Sequence, residues 1–100
     1  MNVETIKCNV RDAANLLKAL SNEKRLLIAC ALYKGEKSVG ELEEIVGLSQ
    51  SALSQHLARL RRDNLVSTRR EAQTIYYSLR DEAIGHVMQC LCSMYGDRAE

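Results

Sequence analysis

The sequence lacks the features that would divide it into parts or carry it into a membrane. Its 100 residues include no proline, no internal repeat and no low-complexity linker, so a single domain spanning residues 1–100 is expected. No apolar run approaches the roughly twenty residues that a membrane-spanning helix needs, and the N-terminus has no signal-peptide core. We therefore expect a cytoplasmic protein that makes no contact with a membrane.

The cysteines and histidines of the chain limit the disulfide and metal chemistry that it can support. The chain has four cysteines and two histidines. The cysteines are Cys8, Cys30, Cys90 and Cys92. They accompany a strongly helical pattern and do not resemble a secreted disulfide framework, so reduced thiols with a structural or a sensing role are expected. Neither His56 nor His86 has a ligand-spaced neighbour, so we expect no metal and no cofactor.

Catalysis is not expected from this inventory. A chain of this size would need a nucleophile paired with a base, or a metal. Glu82 stands four residues before His86, and a glutamate and histidine at this spacing on a helix are commonly a surface pair. The chain is therefore predicted not to be an enzyme.

The small net charge of +1 conceals an uneven distribution. Residues 50–80 hold six arginines against two acids, a balance of +4, whereas residues 36–48 hold one lysine against four glutamates, a balance of −3. Positive charge is thus concentrated on one segment, as contacts with a phosphate backbone require.

Residues 38–60 predict two short helices joined by a turn. Ser38 and Glu41 are spaced as a capping box at the start of the first helix, and Gly47 ends it. The apolar residues that this helix should bury are Val39, Leu42, Ile45 and Val46. Ser49 is the expected N-cap of the second helix. Two helices with this connection are typical of a helix-turn-helix.

The second helix has one apolar face and one polar face. Leu53, Leu57 and Leu60 recur at i, i+4 and i+7, so they should face a core. The opposite face presents Gln50, Ser51, Ser54, Gln55 and Arg59. Such side chains read base edges in the major groove, so we predict that the first four contact bases of double-stranded DNA and that Arg59 contacts bases or phosphate. A winged helix that binds only proteins is the alternative, and it should carry apolar residues here.

A basic β-hairpin is expected to follow. Residues 65–70 alternate in character, and residues 74–79 are rich in β-branched and aromatic side chains, which predicts two strands with a tip at about residues 71–73. Arg69 and Arg70 lie near this tip, and we predict that they anchor the wing on DNA phosphates.

The terminal segments predict further helices with broad apolar stripes. The first helix should end near Ser21, which would cap the second helix, and residues 81–95 should form the last. Expected inward positions are Val10, Ala13, Ala14, Leu17 and Leu20, then Leu26, Leu27, Cys30 and Ala31, and finally Ile84, Val87, Met88, Leu91 and Tyr95. The fold class is therefore mainly α with a small β-hairpin, a winged helix-turn-helix. A chain of 100 residues is near the lower size for an independent core. We therefore expect a homodimer that forms through the terminal helices. The alternative is that their apolar stripes pack only within one chain.

The order of these elements resembles the ArsR/SmtB family of homodimeric winged-helix repressors. The blocks that carry the resemblance are LKALSNEKRLLIACAL (residues 17–32), SVGEL, LSQSALSQHLARLR and RREAQTIYYSL. Within the family the chain is most similar to the branch that contains NolR, HlyU and the persulfide-responsive repressors BigR and SqrR. The resemblance implies a repressor that binds an inverted-repeat operator as a homodimer and is released by a signal.

The metal sites of the family lack their ligands in this sequence. Metal sensors carry cysteines at the start of the helix-turn-helix, where this chain has Ser38 and Gly40. Other members bind zinc across the last helix, and the matching positions here are Asp81, Ala83, Met94 and Asp97. Two carboxylates without imidazoles suit zinc poorly, so we predict no metal site there.

A thiol pair is the remaining candidate for sensing. Cys30 matches one of the two cysteines of the persulfide-responsive branch, whereas the second position is Gly96. Cys92, one helical turn earlier, could take its place, so Cys30 and Cys92 are predicted to sense reactive sulfur species. Three alternatives stay open. Both thiols could simply pack in the core of a regulator that needs no ligand, as the NolR-like tail suggests. Cys8, Cys90 and Cys92 could form a site for arsenite or a soft metal, or Cys30 could pair with Cys90.

Overall fold

The computed structural model describes residues 3–96, without the side chains of residue 3 and residues 5–8. Its elements, in chain order, are α1 Val3–Leu20, α2 Glu23–Tyr33, β1 Lys37–Ser38, α3 Val39–Val46, α4 Gln50–Arg62, β2 Val66–Glu71, β3 Thr74–Leu79 and α5 Glu82–Leu91, followed by a π-helical turn at Cys92–Gly96. This order confirms the predicted helix, helix, helix-turn-helix, wing and helix. Within the described residues, no helix combines the length and the apolar character needed to cross a membrane.

Local capping fixes the helix-turn-helix as the sequence predicted. Ser38 Oγ accepts a hydrogen bond from the Glu41 amide at 3.2 Å, and Glu41 Oε1 accepts one from the Ser38 amide at 2.8 Å. Gly47 then ends α3 in the left-handed conformation, with φ of 73°, which suits a residue without a Cβ. Ser49 caps α4 by accepting a hydrogen bond from the Ala52 amide at 3.2 Å. These caps set the angle at which α4 leaves the turn.

The predicted cap of α2 is wrong by one residue. Asn22, not Ser21, has the extended backbone of an N-cap, and its Oδ1 accepts hydrogen bonds from the amides of Lys24 (2.9 Å) and Arg25 (3.0 Å). Both residue types are good caps. The choice depends on where α1 ends, because Ser21 still donates its amide to the Lys18 carbonyl.

Residues from all five helices and the start of β2 form the core. Its largest fully buried side chains are Ile28, Leu42, Leu53, Leu60 and Met88. Helix α2 lies at the centre and contacts α1, α3, α4, α5 and β3. It therefore buries Ile28, Ala29, Ala31 and Leu32, whereas Leu26 and Cys30 are half-buried and Leu27 is exposed. The predicted inward face of α2 is thus confirmed for Ala31, partly confirmed for Leu26 and Cys30, and wrong for Leu27. Because other elements pack around α2 on several sides, its buried residues do not follow one stripe.

Several apolar residues predicted to be inward are exposed in the single chain. Val10 and Leu17 on α1 are 57% and 60% exposed, and Ile45 and Tyr95 are also exposed. Among the described side chains of α1, only Ala19 and Leu20 near its C-terminus are buried, so Val10 and Leu17 have no cover within the described part of the chain. By contrast, Leu53, Leu57, Leu60, Ile84 and Met88 are buried as predicted.

The wing is a three-stranded antiparallel sheet in the order β1-β3-β2. The hairpin register runs from Val66 opposite Leu79 to Glu71 opposite Thr74, and β1 adds two further pairs on the other edge of β3. The tip at Ala72 and Gln73 lies within the predicted range. Strand β1 was not predicted from the sequence, because two residues are too few to show alternation.

The last helix is shorter than predicted. Asp81 is its N-cap, with Oδ1 accepting a hydrogen bond from the Ile84 amide at 3.1 Å. The α-helical part ends at Leu91, and a π-helical turn continues to Gly96. This wider turn rotates Tyr95 out of the expected inward stripe, and 59% of Tyr95 is exposed.

Candidate nucleic-acid interface and thiol cavity

The N-terminal half of α4 presents four exposed hydrogen-bonding side chains, as the sequence predicted. They are Gln50, Ser51, Ser54 and Gln55. Across residues 3–96 their side chains make no hydrogen bond to the protein, so their donors and acceptors are available to an external partner. The opposite face of α4 is fixed by buried leucines, which holds this polar row in one orientation. Its polar character disfavours a surface that binds only proteins.

A cleft of about 520 Å³ joins the start of α4 to the wing. Its lining residues are Ser38, Val39, Gly40, Glu43, Gln50, Gln73, Thr74 and Ile75. The beginning of α3, the beginning of α4 and the tip of the hairpin therefore open on the same side of the molecule.

The arginines near the end of α4 differ in their surroundings. Arg59 is half-buried, and its Nε donates to Asp63 Oδ2 at 2.7 Å. Arg62 is more exposed, with 3.8 Å between its Nε and Asp63 Oδ1. Arg59 is thus held by a carboxylate one turn away, whereas Arg62 extends from the exposed face.

Arg62 was not among the DNA contacts predicted from the sequence. Ser51, Gln55, Ala58 and Arg62 recur at i, i+4, i+7 and i+11 and are all exposed. This spacing places them on one stripe directly opposite the buried leucines. Extending the polar face by its helical period would have found Arg62 from the sequence.

The two wing arginines point to opposite faces of the sheet. Successive side chains on a strand alternate, so Arg70 shares a face with buried Val66 and Arg69 lies on the other. Arg70 is exposed and, in the described part of the chain, has no ion-pair partner. Arg69 Nε and Nη2 donate to the two carboxylate oxygens of Glu36, both at 2.8 Å, and Nη1 donates to Glu71 Oε2 at 3.0 Å. The hydrogen bonds from Arg69 hold the pKa of the Glu36 carboxyl below its ordinary value.

Cys30 and Cys92 line one small apolar cavity, as the predicted pairing requires. The cavity has a volume of about 260 Å³ and is lined by Leu26, Cys30, Leu91, Cys92, Tyr95 and Gly96. Both cysteines are free and half-buried, whereas Cys90 is exposed. The structure therefore brings Cys30 to Cys92 and directs Cys90 elsewhere.

The Cys30 thiol is held in its neutral form. Burial raises its pKa above the ordinary value, and the adjacent Cys92 thiol raises it further through charge repulsion and hydrogen bonding, against a smaller opposing effect of Lys34. Apolar surroundings disfavour the thiolate because they solvate charge poorly. Deprotonation of Cys30 therefore needs a higher pH than that of an ordinary thiol.

Gly96, at the position of the second family cysteine, lies beside Cys92. A Cβ added at Gly96 would be 3.7 Å from the Cys92 Cβ, within the range that Cβ atoms of bonded cysteines show. The π-helical turn therefore brings a side chain at position 96 into van der Waals contact with Cys92.

Metal-binding alternatives gain little support from the described residues. Among residues 3–96, no group of three or more histidine, cysteine or acidic residues could hold an ion. Asp81 caps α5 by accepting a hydrogen bond from the Ile84 amide. Cys90 is exposed, whereas Cys92 is half-buried. The Cys8 side chain and Asp97 lie outside the described residues, so the predictions that involve them are not addressed.

Comparison with known proteins gives a consistent result. A family model described as "Bacterial regulatory protein, arsR family" matches residues 22–68. The chain is 58% identical to nodulation protein NolR of Rhizobium meliloti over 85 residues, which are 85% of this chain and 70% of that protein. It is 50% identical to the transcriptional activator HlyU of Vibrio cholerae over 95 residues, which are 95% of this chain and 88% of that protein. These descriptions agree with the prediction that the chain is not an enzyme.

Solved structures share the fold. The transcriptional repressor BigR from Xylella fastidiosa superimposes with a TM-score of 0.89 at 39% identity, covering 95% of this chain and 97% of that chain. A homodimeric winged helix-turn-helix DNA-binding domain from Mycobacterium bovis, described as a possible ArsR-family regulator, gives 0.80 at 25% identity, covering 100% and 92%. The architecture is thus a winged helix-turn-helix, as predicted.

Proposed function

Because the chain belongs to the ArsR family of bacterial transcriptional regulators, we propose that it represses transcription by binding an inverted-repeat operator in double-stranded DNA as a homodimer. The observation that carries this proposal is the polar row on α4, whose four side chains are exposed and unpaired within the described residues. Gln50, Ser51, Ser54 and Gln55 would read base edges in the major groove. The arginines beyond them, Arg59 and Arg62, would contact bases or phosphates at the other end of the helix.

A homodimer accounts for the exposed apolar stripe of α1. Val10 and Leu17 are separated by two helical turns on one side of α1 and have no cover in the described chain. Burial of such a stripe against a second copy would remove it from water, and the relative from Mycobacterium bovis is described as homodimeric. Two-fold symmetry would place the two recognition helices about 34 Å apart, one duplex turn, so the operator would be a near-palindrome.

Replacing Gln50 and Ser54 by alanine is expected to weaken binding to the operator more than binding to random DNA. Each base contact contributes about 1–3 kcal/mol of discrimination, whereas non-specific affinity comes from phosphates. The measurement is the dissociation constant for a duplex selected from a random pool by the wild-type protein, compared with an unselected duplex.

Gln89→Ala is the matched control for these substitutions, because Gln89 is also exposed but lies on α5. It should retain the wild-type ratio of the two affinities. If Gln50→Ala and Ser54→Ala also retained that ratio, α4 would not be the reading helix.

We propose further that Cys30 and Cys92 form a switch for reactive sulfur species. One thiolate would attack a polysulfide, whose S–S bond breaks so that the shortened polysulfide leaves and a cysteine persulfide remains. The second thiolate would attack the Sγ of the persulfidated cysteine, so that the bond between Sγ and the transferred sulfur breaks and hydrosulfide leaves. A disulfide would then join α2 to the end of α5. The two thiols are oxidised and the transferred sulfur is reduced. The shared cavity of the two half-buried thiols supports this proposal.

A regulator without an inducer is the second candidate. It is favoured by Gly96, which stands where the persulfide-responsive branch has its second cysteine, and by the apolar surroundings of Cys30, which suit a packing role. The two candidates differ in one measurable property, the response of operator binding to polysulfide.

A further inference from the structure

We propose that Arg69 is a positioning residue of the wing, which it fastens to the segment between α2 and β1 through Glu36, and that phosphate contact by the wing falls to Arg70. This inference rests on the proposed DNA-binding function. The sequence predicted the same phosphate contact for these two neighbouring arginines, and the proposal gives them different roles.

Three of the five N–H donors of Arg69 are already occupied by carboxylates. Glu36 receives two parallel hydrogen bonds of 2.8 Å and Glu71 a third of 3.0 Å, while the guanidinium carbon lies 4.6 Å from the centre of the Tyr76 ring. A paired fork stacked on an aromatic face is the geometry that arginine, and not lysine, can adopt. One N–H on Nη1 and one on Nη2 remain, but a phosphate could take the paired fork of Nε and Nη2 only by displacing the Glu36 carboxylate.

The contacts of Arg69 span all three strands of the sheet. Arg69 on β2 is paired with Tyr76 on β3, and Tyr76 is paired on its other side with Ser38 of β1. Glu36 directly precedes β1. Arg69 therefore crosses the full width of the sheet, over Tyr76, and ties one edge strand to the other. Strand β1 otherwise holds the hairpin by only two residue pairs.

Charge and direction both favour Arg70 as the phosphate ligand. Arg69 with Glu36 and Glu71 carries a net charge of −1, so the group adds no positive charge to the surface. Arg70 lies opposite Ile75, which lines the cleft that also contains Gln50. Because Arg70 also shares its face with Val66, which is buried in one core with the α4 leucines, Arg70 stands on the face of the sheet that is turned toward α4.

Removing the Glu36 carboxylate distinguishes a positioning role from a phosphate contact by the sign of its effect. If Arg69 binds phosphate, Glu36→Ala frees its charge and should tighten DNA binding. If Arg69 positions the wing, Glu36→Ala should weaken binding by about two- to tenfold, the factor expected for ordering one further side chain on binding. Glu44→Ala removes the same charge from an exposed position on α3 and should not weaken binding.

Conservative substitutions and salt dependence supply the second test, with a duplex selected from a random pool as the probe. Arg69→Lys should fail to restore wild-type affinity, and Arg69→Ala should leave the slope of log affinity against log salt unchanged. Arg70→Ala should reduce that slope by about 0.9, the value for one phosphate contact, and Arg70→Lys should retain it. Full affinity in Arg69→Lys, or a slope reduced by Arg69→Ala, would overturn the proposal.

Hydrogen exchange of the wing amides tests the same role without DNA. Exchange in β3 should accelerate in Glu36→Ala and Arg69→Lys but not in Arg70→Ala, because only the first two lose the tie across the sheet. Equal exchange in all variants would refute the positioning role. If the wild-type protein selected no DNA sequence, the proposed function would fail, and this measurement would still decide the role of Arg69.

Discussion

Leu17→Glu is expected to convert the proposed dimer into monomers and to lower affinity for a two-half-site operator by at least about a hundredfold. Joining two reading helices in one dimer raises affinity by about 10²–10⁴ over a single one, and that gain disappears with the second subunit. A glutamate in a desolvated interface also costs free energy because its charge loses water. Leu17 is 60% exposed in the single chain, so the monomer should remain folded.

Sedimentation equilibrium and operator binding measure these two effects together. Asn15→Glu is the control, because it adds the same charge to α1 at an exposed position on the side away from Val10 and Leu17. Ile84 on the last helix is unsuitable for this test, because it is only 6% exposed and a charge there would unfold the subunit. A Leu17→Glu protein that stays dimeric and binds with full affinity would remove α1 from the interface.

Polysulfide treatment is expected to lower the operator affinity of the wild-type protein by about 10–100-fold, equivalent to about 1.4–2.8 kcal/mol. A bridge between Cys30 and Cys92 would tie α2 to the end of α5 and so constrain the spacing of the two recognition helices. Cys30→Ser and Cys92→Ser should bind DNA without responding. Cys90→Ser should respond like the wild type, because Cys90 is exposed on the other side of α5.

The pH dependence of this reaction follows from the raised pKa of Cys30. The thiolate is the attacking form, and a raised pKa leaves little of it at neutral pH, so bridge formation should accelerate as the pH rises toward that pKa. Mass spectrometry of the trapped protein measures the rate and identifies the bridge. Unchanged operator affinity in treated wild-type protein, or a wild-type response in either serine variant, would leave a regulator without a thiol switch.

The parts of the fold that depend on local sequence were predictable. The capping box of Ser38 and Glu41, the left-handed Gly47 and the cap at Ser49 each involve residues a few positions apart, and all three are present. The leucine spacing of α4 likewise fixed which side of that helix is buried and which is exposed. The polar row of α4 could therefore be located from the amino-acid sequence alone.

The features that depend on distant partners were not predictable. Apolar spacing on α1 showed that the helix has a stripe but not whether the same chain covers it, and Leu17 lies uncovered. Arg69 meets Glu36 across 33 residues of sequence, which no local pattern indicates. The proximity of Cys30 to Cys92 was predicted only because family resemblance placed α2 beside the last helix.

The π-helical turn at the end of α5 brings two side-chain positions into direct contact. A Cβ at residue 96 and the Cβ of Cys92 would be neighbours at 3.7 Å, although four residues separate them, because the wider turn overlays side chains that an α-helix would offset. During evolution a thiol could therefore move between these positions through two ordinary substitutions while its sulfur stayed at the same cavity. An alignment column records such an exchange as the loss of a cysteine, whereas the cavity itself keeps its thiol.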